Sequence, residues 1–453
     1  MATNTLMRVL TRLDTILLGF GAMIGWGWMV LAGAAVSNGG FLGAGLGFLV
    51  GSLAILVIGF VYAELASALP YAGGEHVYTE HAFGPITSFI CTWSIIFGYV
   101  SVVAFEAIAL PVALTYLFPE LRAVPLWTIA GYEVHLSEVL IGAVAAAAIT
   151  VLNILGIRLA ARVQTAALVF IFAAGALLIA GGVLNLNQSP PDLAAWKGWA
   201  GAFSVIIIVP FLFVGFDVIP QSAEELNIDR KEIGRALIIS IAFAIAFYLL
   251  IVFSVGLSPV DPADATLLTA DAAGAYWNGA WASSFLVVAG IGGILTSWNA
   301  FLIGGSRAMF ALARSGQLPA PLAAIHSKFA TPWVAIAAIG TISVFAPLLG
   351  RNSLVWIVNA GGFCIVLAYV FVVLAFLRLR AREPGLERPF KAPGGRALGI
   401  FALILSLALL ALYLPISPSG LKWPHEWGLV VGWFAIGAVF FFAAPIRQGK
   451  SGD

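Results

Sequence analysis

Charge is what this chain has least of. Only 9% of its 453 residues are Asp, Glu, Lys or Arg, against about 25% in ordinary soluble domains. Hydrophobic residues make up 61%, and mean hydropathy is +1.03. That excludes a soluble globular protein. Cysteine is nearly absent: Cys91 and Cys364 both lie within apolar runs, which argues against a disulfide framework or a cysteine-ligated metal. His76, His81, His135, His326 and His425 fall in loops or at span ends without ligand spacing, so no metal and no cofactor is expected. There is no basic tract to suggest nucleic acid as a partner. The start MATNTLMRVLTRLD leads into the first apolar run without a small-residue cleavage site, so no cleaved signal is expected. No polar connection is long enough to fold as a soluble domain.

What is present is a series of apolar runs near twenty residues long, the length of a membrane-spanning helix. The ten-residue alternation of a membrane β-barrel is missing. Twelve spans are read: 14–35, 43–69, 86–118, 136–155, 160–184, 199–219, 233–257, 276–313, 332–349, 354–377, 397–414 and 428–444. The segment SPVDPADATLLTADAA between the seventh and eighth reads as an acidic capped loop holding one short helix. With the N-terminus placed inside, Arg122, Lys197, Arg351 and Lys422 are the only outside residues among the 22 Lys and Arg. The positive-inside rule then puts both termini in the cytoplasm of an inner or plasma membrane protein.

Two spans are interrupted. The first holds GAMIGWGWMVLAG (Gly21 to Gly33) and the sixth PFLFVGFDVIP (Pro210 to Pro220). Glycine costs about 1 kcal/mol against alanine inside a helix. These glycines therefore serve either close helix packing or a deliberate break, and unwound backbone in a bilayer must line a cavity or be buried in protein. The sixth span favours the break, because Pro210, Gly215 and Pro220 surround Asp217, a carboxylate that packing does not require. Paired interruptions in two halves of a chain point to inverted repeats with a midplane binding site.

Several stretches carry a resemblance. The first-span glycines are similar to a G-x-x-I-G-x-G unwinding motif. AELASALPYAGGEHVYTEHAFGP (Ala63 to Pro85), GIRLAARVQ (Gly156 to Gln164) and GGSRAMFALARSGQLP (Gly304 to Pro319), followed by HSKFATP, match further motifs of one family. Over nearly its whole length the chain resembles the amino acid–polyamine–organocation (APC) transporter superfamily. The resemblance implies an all-α membrane protein with twelve transmembrane helices and a leucine-transporter-type fold. That fold has two inverted five-helix repeats (14–184 and 199–377) and two peripheral helices (397–444), forming one transport domain. It also implies that Ile24, Gly25, Trp26 and Gly27 meet a substrate carboxylate, and that Phe213, Gly215, Phe216 and Asp217 receive its amino group. Trp26 departs from the small residue usual in the family. Its indole either crowds the carboxylate subsite, joins an aromatic box around a cation, or faces neighbouring helices or lipid.

Half-helix ends suit such a solute, because free N–H groups attract a carboxylate and free carbonyls an ammonium. An intramembrane carboxylate is costly and usually functional. Asp217 either pairs with a substrate ammonium, carries the coupling proton, or caps the half-helix that follows. Glu106 lies seven residues after Tyr99 on one face of the third span. It either sits outward of the site as a cation-attracting gate, has a packing or capping role, or has a partner near the outer interface. Phe301 aligns with a substrate-stacking aromatic of the family, and Thr296 and Ser297 with hydroxyls that hold sodium in some relatives. Such hydroxyls also commonly bond their own backbone. The fifth span carries no lysine to stand in for sodium. Phe211 and Phe216 are candidate aromatic gates or core residues. Glu64, Glu224, Glu225, Arg230 and Arg235 make either ordinary helix-end contacts or an inner ion-pair gate.

These features read as a secondary active transporter working by alternating access, with a proton or sodium ion, or exchange, driving it. The substrate is a small amino-bearing solute. Two intramembrane carboxylates favour an organic amine, a polyamine or a cationic amino acid, with a neutral amino acid as the alternative. No nucleophile, base or metal grouping of a membrane enzyme converges in the spans, and no filter-like repeat suggests a channel.

Overall fold

The structure, a computed structural model, describes residues 6–186, 196–417 and 419–443. Arg447 and Lys450, part of the orientation argument, lie outside the described residues. Helix dominates from the start. Thr11 and Asp14 form a capping box, with the Thr11 hydroxyl accepting from the Asp14 N–H and the Asp14 carboxylate from the Thr11 N–H. This fixes the beginning of α1 (Arg12–Met23). After an interruption at residues 24–26 comes α2 (Gly27–Ala68). Then follow α3 (Glu75–Phe83), α4 (Pro85–Leu117), α5 (Leu136–Leu155) and α6 (Ile157–Leu184). The sixth apolar run divides into α7 (Gly198–Ile206), α8 (Val209–Phe213) and α9 (Val218–Gln221). The remainder is α10 (Arg230–Gly256), α11 (Leu268–Tyr276), α12 (Ala280–Arg314), α13 (Trp333–Phe345), α14 (Leu354–Arg382), α15 (Arg396–Leu412) and α16 (His425–Ala443). Among the described residues nine segments are long and apolar enough to cross a bilayer, and two shorter apolar helices cover Trp333–Leu349 and Arg396–Leu412.

Burial separates centre from periphery. The most apolar stretch of α4 is 94% buried, against 17% for α16. A helix apolar all round belongs in a core or in lipid; α4 takes the first place and α16 the second. In α16, Val439 and Phe442 are exposed, which in a bilayer places them against acyl chains.

Three boundaries differ from the sequence reading. The second half of the first span and the whole second span run together as α2, interrupted only where Gly40 adopts φ 66° and ψ −177°. That backbone region is essentially restricted to glycine, so two helices meet there without a loop. The expected eighth span starts too early, because Tyr276 ends α11, and Asn278 at φ 49° turns the chain before α12. Finally, β1 (Pro125–Ile129) and β2 (Tyr132–His135) form an antiparallel hairpin that was not anticipated. Its two-residue turn, Ala130–Gly131, has positive φ at both positions, the geometry that suits strand twist. The short helix expected in the acidic loop is α11. Two ends of the bundle can now be distinguished, the hairpin end and the arginine-rich end where α1 begins and α14 finishes.

Candidate functional site

Regular winding stops twice. α1 ends at Met23, Ile24 turns out of helical geometry at φ −104° and ψ 71°, and α2 restarts at Gly27. In the second break, α8 ends at Phe213, Val214 is extended (ψ 139°) and Gly215 takes φ 127°. The two breaks touch. A methyl group added to Gly215 would lie 2.6 Å from the Ala22 Cβ and 3.0 Å from the Met23 nitrogen. At Gly25 a methyl would collide with Glu106 and Ser297.

Glu106 sits at the first break itself, not outward of it. Its Oε1 accepts from the Trp26 N–H at 3.3 Å and from the Ser297 hydroxyl, while Oε2 has no protein partner. The helix end expected to meet a solute's carboxylate thus already faces one of the chain's own, as the partial positive charge of a helix N-terminus favours. Thr296 donates to the Ile24 carbonyl at 3.2 Å and to the Gly293 carbonyl at 2.9 Å. Trp26 is buried, with its ring against Gly290 of α12, so it faces a neighbouring helix. A void of about 20 Å³ remains between the breaks, lined by Gly25, Gly27, Phe105, Glu106, Phe211 and Phe301 among others. That is room for about one water. Beyond Trp26, towards the hairpin end, opens a recess of about 340 Å³ edged by Tyr116, Arg122 and Arg351.

Asp217 lies at the head of α9, but its side chain does not cap that helix. Oδ1 accepts from the Gly215 N–H at 2.8 Å, and Oδ2 is buried without a partner. Tyr99 and Phe301 pack ring on ring at 5.5 Å. Phe213 packs on Tyr248 at 5.3 Å, and Phe211 on Phe105 at 5.7 Å. Phe216 leaves the others and packs with Tyr62 and Tyr369, at 5.1 and 5.6 Å. The expected residues therefore gather in two places. Gly25, Gly27, Glu106, Phe211, Ser297 and Phe301 surround the small void, whereas Phe216 and Asp217 belong to a cluster with Tyr62.

Sequence reasoning missed three supports. Tyr248 donates to the Met23 carbonyl at 2.8 Å, satisfying the end of α1. The Gln164 amide donates to the Leu17 and Leu18 carbonyls at 3.0 and 3.1 Å and accepts from Asn299 at 3.0 Å. Asn299 in turn accepts from Asn153 at 2.9 Å. A glutamine inside an apolar helix was the available signal. The third is Arg307, which forms a two-pronged pair with Glu225 at 2.8 and 2.9 Å, both side chains 1% exposed. The Glu225 carbonyl also accepts from the Val9 and Leu10 N–H groups, and Asn227 donates to the Leu10 carbonyl. The lead into α1 is thereby tied to the exit from the second break. Around this rim Glu224 pairs with Arg314, Arg380 and Arg388 with Glu64, and Arg235 with Glu232. Arg230 makes only a long, exposed pair with Glu387 at 3.7 Å.

Two outcomes follow from this geometry. Removing one partner of a buried ion pair costs about 3–5 kcal/mol, because the other charge is stranded. Glu225→Gln and Arg307→Met should each lower the melting temperature of the purified protein markedly. The Glu225→Gln/Arg307→Met double variant should lose less than the sum of the two, and additive losses would contradict the pairing. Gly215→Ala should cost about 1–3 kcal/mol through backbone strain, with the collision against Ala22 in addition; an unchanged melting temperature would mean that the breaks do not touch.

Comparison with known proteins agrees with this architecture. The family model for the amino acid permeases matches residues 10–443. The branched-chain amino acid permease BcaP of Bacillus subtilis is 29% identical over 472 aligned residues, covering 99% of this chain and 95% of the relative. The methylthioribose transporter of the same organism is 24% identical, covering 97% and 94%. Human cationic amino acid transporter 4 is 28% identical over 86% of this chain and 62% of its own length. With a family match that spans nearly all of the chain, and with two helices interrupted side by side, the protein belongs to the amino acid permease family, an APC-type group of membrane transporters.

Proposed function

We propose that this permease carries an amino acid across the bilayer by alternating access, with the solute held where the two unwound segments meet. The observation that carries this is the contact of the breaks, Gly215 against Ala22 and Met23, around the void beside Gly25. In this reading the chain crosses the membrane twelve times, as two inverted repeats (14–184 and 199–377) and a peripheral pair, and the arginine-rich end faces the cytoplasm. The state described is closed at the centre. The void of about 20 Å³ is too small for any amino acid, so binding requires the break segments to part. Entry is from the hairpin-end recess past Trp26, while the Arg307–Glu225 pair keeps the other end shut. On binding, the solute's carboxylate competes with Glu106 for the α2 N-terminus, and its ammonium meets the carbonyls of the second break.

The walls set the substrate class. Phe105, Phe211, Leu212, Phe301 and Val102 line the void, which suits a neutral amino acid with an apolar side chain, the class named in the BcaP relative. The second reading, an organic amine or a cationic amino acid, draws support from Glu106 and Asp217, since each has a buried carboxylate oxygen without a partner. Coupling to a proton fits these carboxylates better than coupling to sodium.

Counterflow in proteoliposomes tests this. Vesicles preloaded with unlabelled L-leucine should take up labelled L-leucine faster than empty ones, and saturably. Stimulation by L-lysine or putrescine alone would transfer the assignment to the amine reading; no stimulation by any of the three would defeat the carrier reading. If Asp217 binds the ammonium directly, losing a charge-assisted hydrogen bond costs about 1.5–3 kcal/mol. Asp217→Asn should then weaken apparent affinity about tenfold or more. Wild-type affinity in that variant would remove Asp217 from the substrate's first contacts.

A further inference from the structure

The loop between α2 and α4 carries a carboxylate that none of the preceding roles uses. Glu75 opens α3, outside the long apolar helices, yet it is fully buried. Its Oε2 accepts from the Gln221 amide of α9, and its Oε1 has no partner. Gln221 lies one helical turn after Asp217, whose Oδ2 is likewise unpartnered. The two carboxylates are close enough for the charge of Asp217 to act on Glu75.

Three tyrosines from three other helices complete the cluster. Tyr62 of α2, Tyr99 of α4 and Tyr369 of α14 are all buried with unpartnered hydroxyls, and each lies within electrostatic reach of both carboxylates. Tyr78 of α3 and Cys91 of α4 also feel Glu75. The basic residues of the packed helices are turned to other partners: Arg307 of α12 to Glu225, and Arg378 of α14 to the Phe83 ring. Two carboxylates without a countercharge in one buried site cannot both ionise, since each repels the other and burial penalises both. Burial and Asp217 together push Glu75 well above the usual carboxylate range. Burying polar groups that are not fully paired costs stability, so a cluster of two acids and three hydroxyls is not explained by packing.

The same helix, α3, also reaches solvent. His76, next in the chain, holds the Ser88 hydroxyl with Nδ1 at 2.7 Å and the Glu80 carboxylate with Nε2 at 3.2 Å. Glu80 is 41% exposed at its side chain and shares with His76 an open recess at the arginine-rich end. His76 holds Glu80 below its ordinary range, so Glu80 stays an ionised carboxylate at the edge of that recess.

We propose that Glu75 and Asp217 form a carboxyl pair holding one exchangeable proton, delivered from the arginine-rich end past Glu80 and His76 and stabilised by the hydroxyls of Tyr62, Tyr99 and Tyr369. The proton passes from water to a carboxylate oxygen and returns by the same path; no other bond changes. Because Asp217 belongs to the second break and Glu75 does not, parting of the breaks on solute binding separates the pair and makes proton occupancy depend on the transport step. This link rests on the carrier reading above, but the pair itself does not.

Infrared difference spectroscopy of the purified protein during a pH titration reads the pair without any solute. The wild type should show the carbonyl band of a protonated carboxyl near neutral pH, shifted in heavy water. In Glu75→Gln and in Asp217→Asn the band should lose amplitude and its midpoint should move to lower pH, because each remaining acid loses the neighbour that raises it, and Tyr62→Phe should move the midpoint while leaving the amplitude in place. A band with wild-type amplitude and midpoint in both carboxyl variants would overturn the proposal. In proteoliposomes, Glu75→Gln should flatten the pH dependence of L-leucine counterflow, and a wild-type pH profile would overturn the coupling. If wild-type vesicles carry no leucine, the carrier assignment fails while the infrared result still decides the pair. Glu75→Asp, keeping an acid one carbon shorter, should recover the band and part of the pH dependence, which a purely structural Glu75 would not require.

Discussion

The structure depends on the need to satisfy bare peptide groups where two helices stop inside an apolar layer. Water cannot reach them, and each unpaired group costs several kcal/mol in hydrocarbon. The chain answers with side chains from other helices. Tyr248 takes the Met23 carbonyl, Thr296 the Ile24 carbonyl, and Glu106 the Trp26 N–H. Every one of these partners comes from a different helix, so the break is held by the whole bundle. A solute that offers its own carboxylate and ammonium can replace such partners group for group. That is the physical reason a broken helix is a binding site.

The partners are also unequal in strength. Glu106 presents a carboxyl oxygen to a helix N-terminus and has one oxygen left over, whereas Gln164, Asn299 and Asn153 form a neutral amide chain bracing α1 against α6, α12 and α5. A neutral brace holds whatever the pH. The carboxyl groups at the breaks are ionisable, and an amide is not. Neutral side chains hold α1 at its middle and at its end, and the carboxyl of Glu106 faces the start of α2.

Closure of the arginine-rich end joins both breaks. Glu225 uses its side chain to hold Arg307 on α12 and its carbonyl to hold the strand-like lead into α1. A buried ion pair is weak evidence for stability but an effective discrete contact, because it is costly half-made. Opening this end must release α1 and the exit of the second break together.

Composition and periodicity determined the membrane class, most helix positions and the two interruptions, because glycine and proline within long apolar runs have few other uses. Leu136–Leu155 was legible to the residue. Asp217 stood out as a carboxylate between prolines. The hairpin at Pro125–His135 was not read, since strands of five and four residues are too short for their period to stand out between two long apolar runs. The pairing of Glu106 with Trp26, of Arg307 with Glu225 and of Glu75 with Gln221 was hidden for another reason: the partners are 80, 82 and 146 residues apart. Local sequence states which groups are costly to bury. Only the tertiary structure decides which groups bear that cost together, because long-range contact depends on how helices cross and not on what any one of them contains.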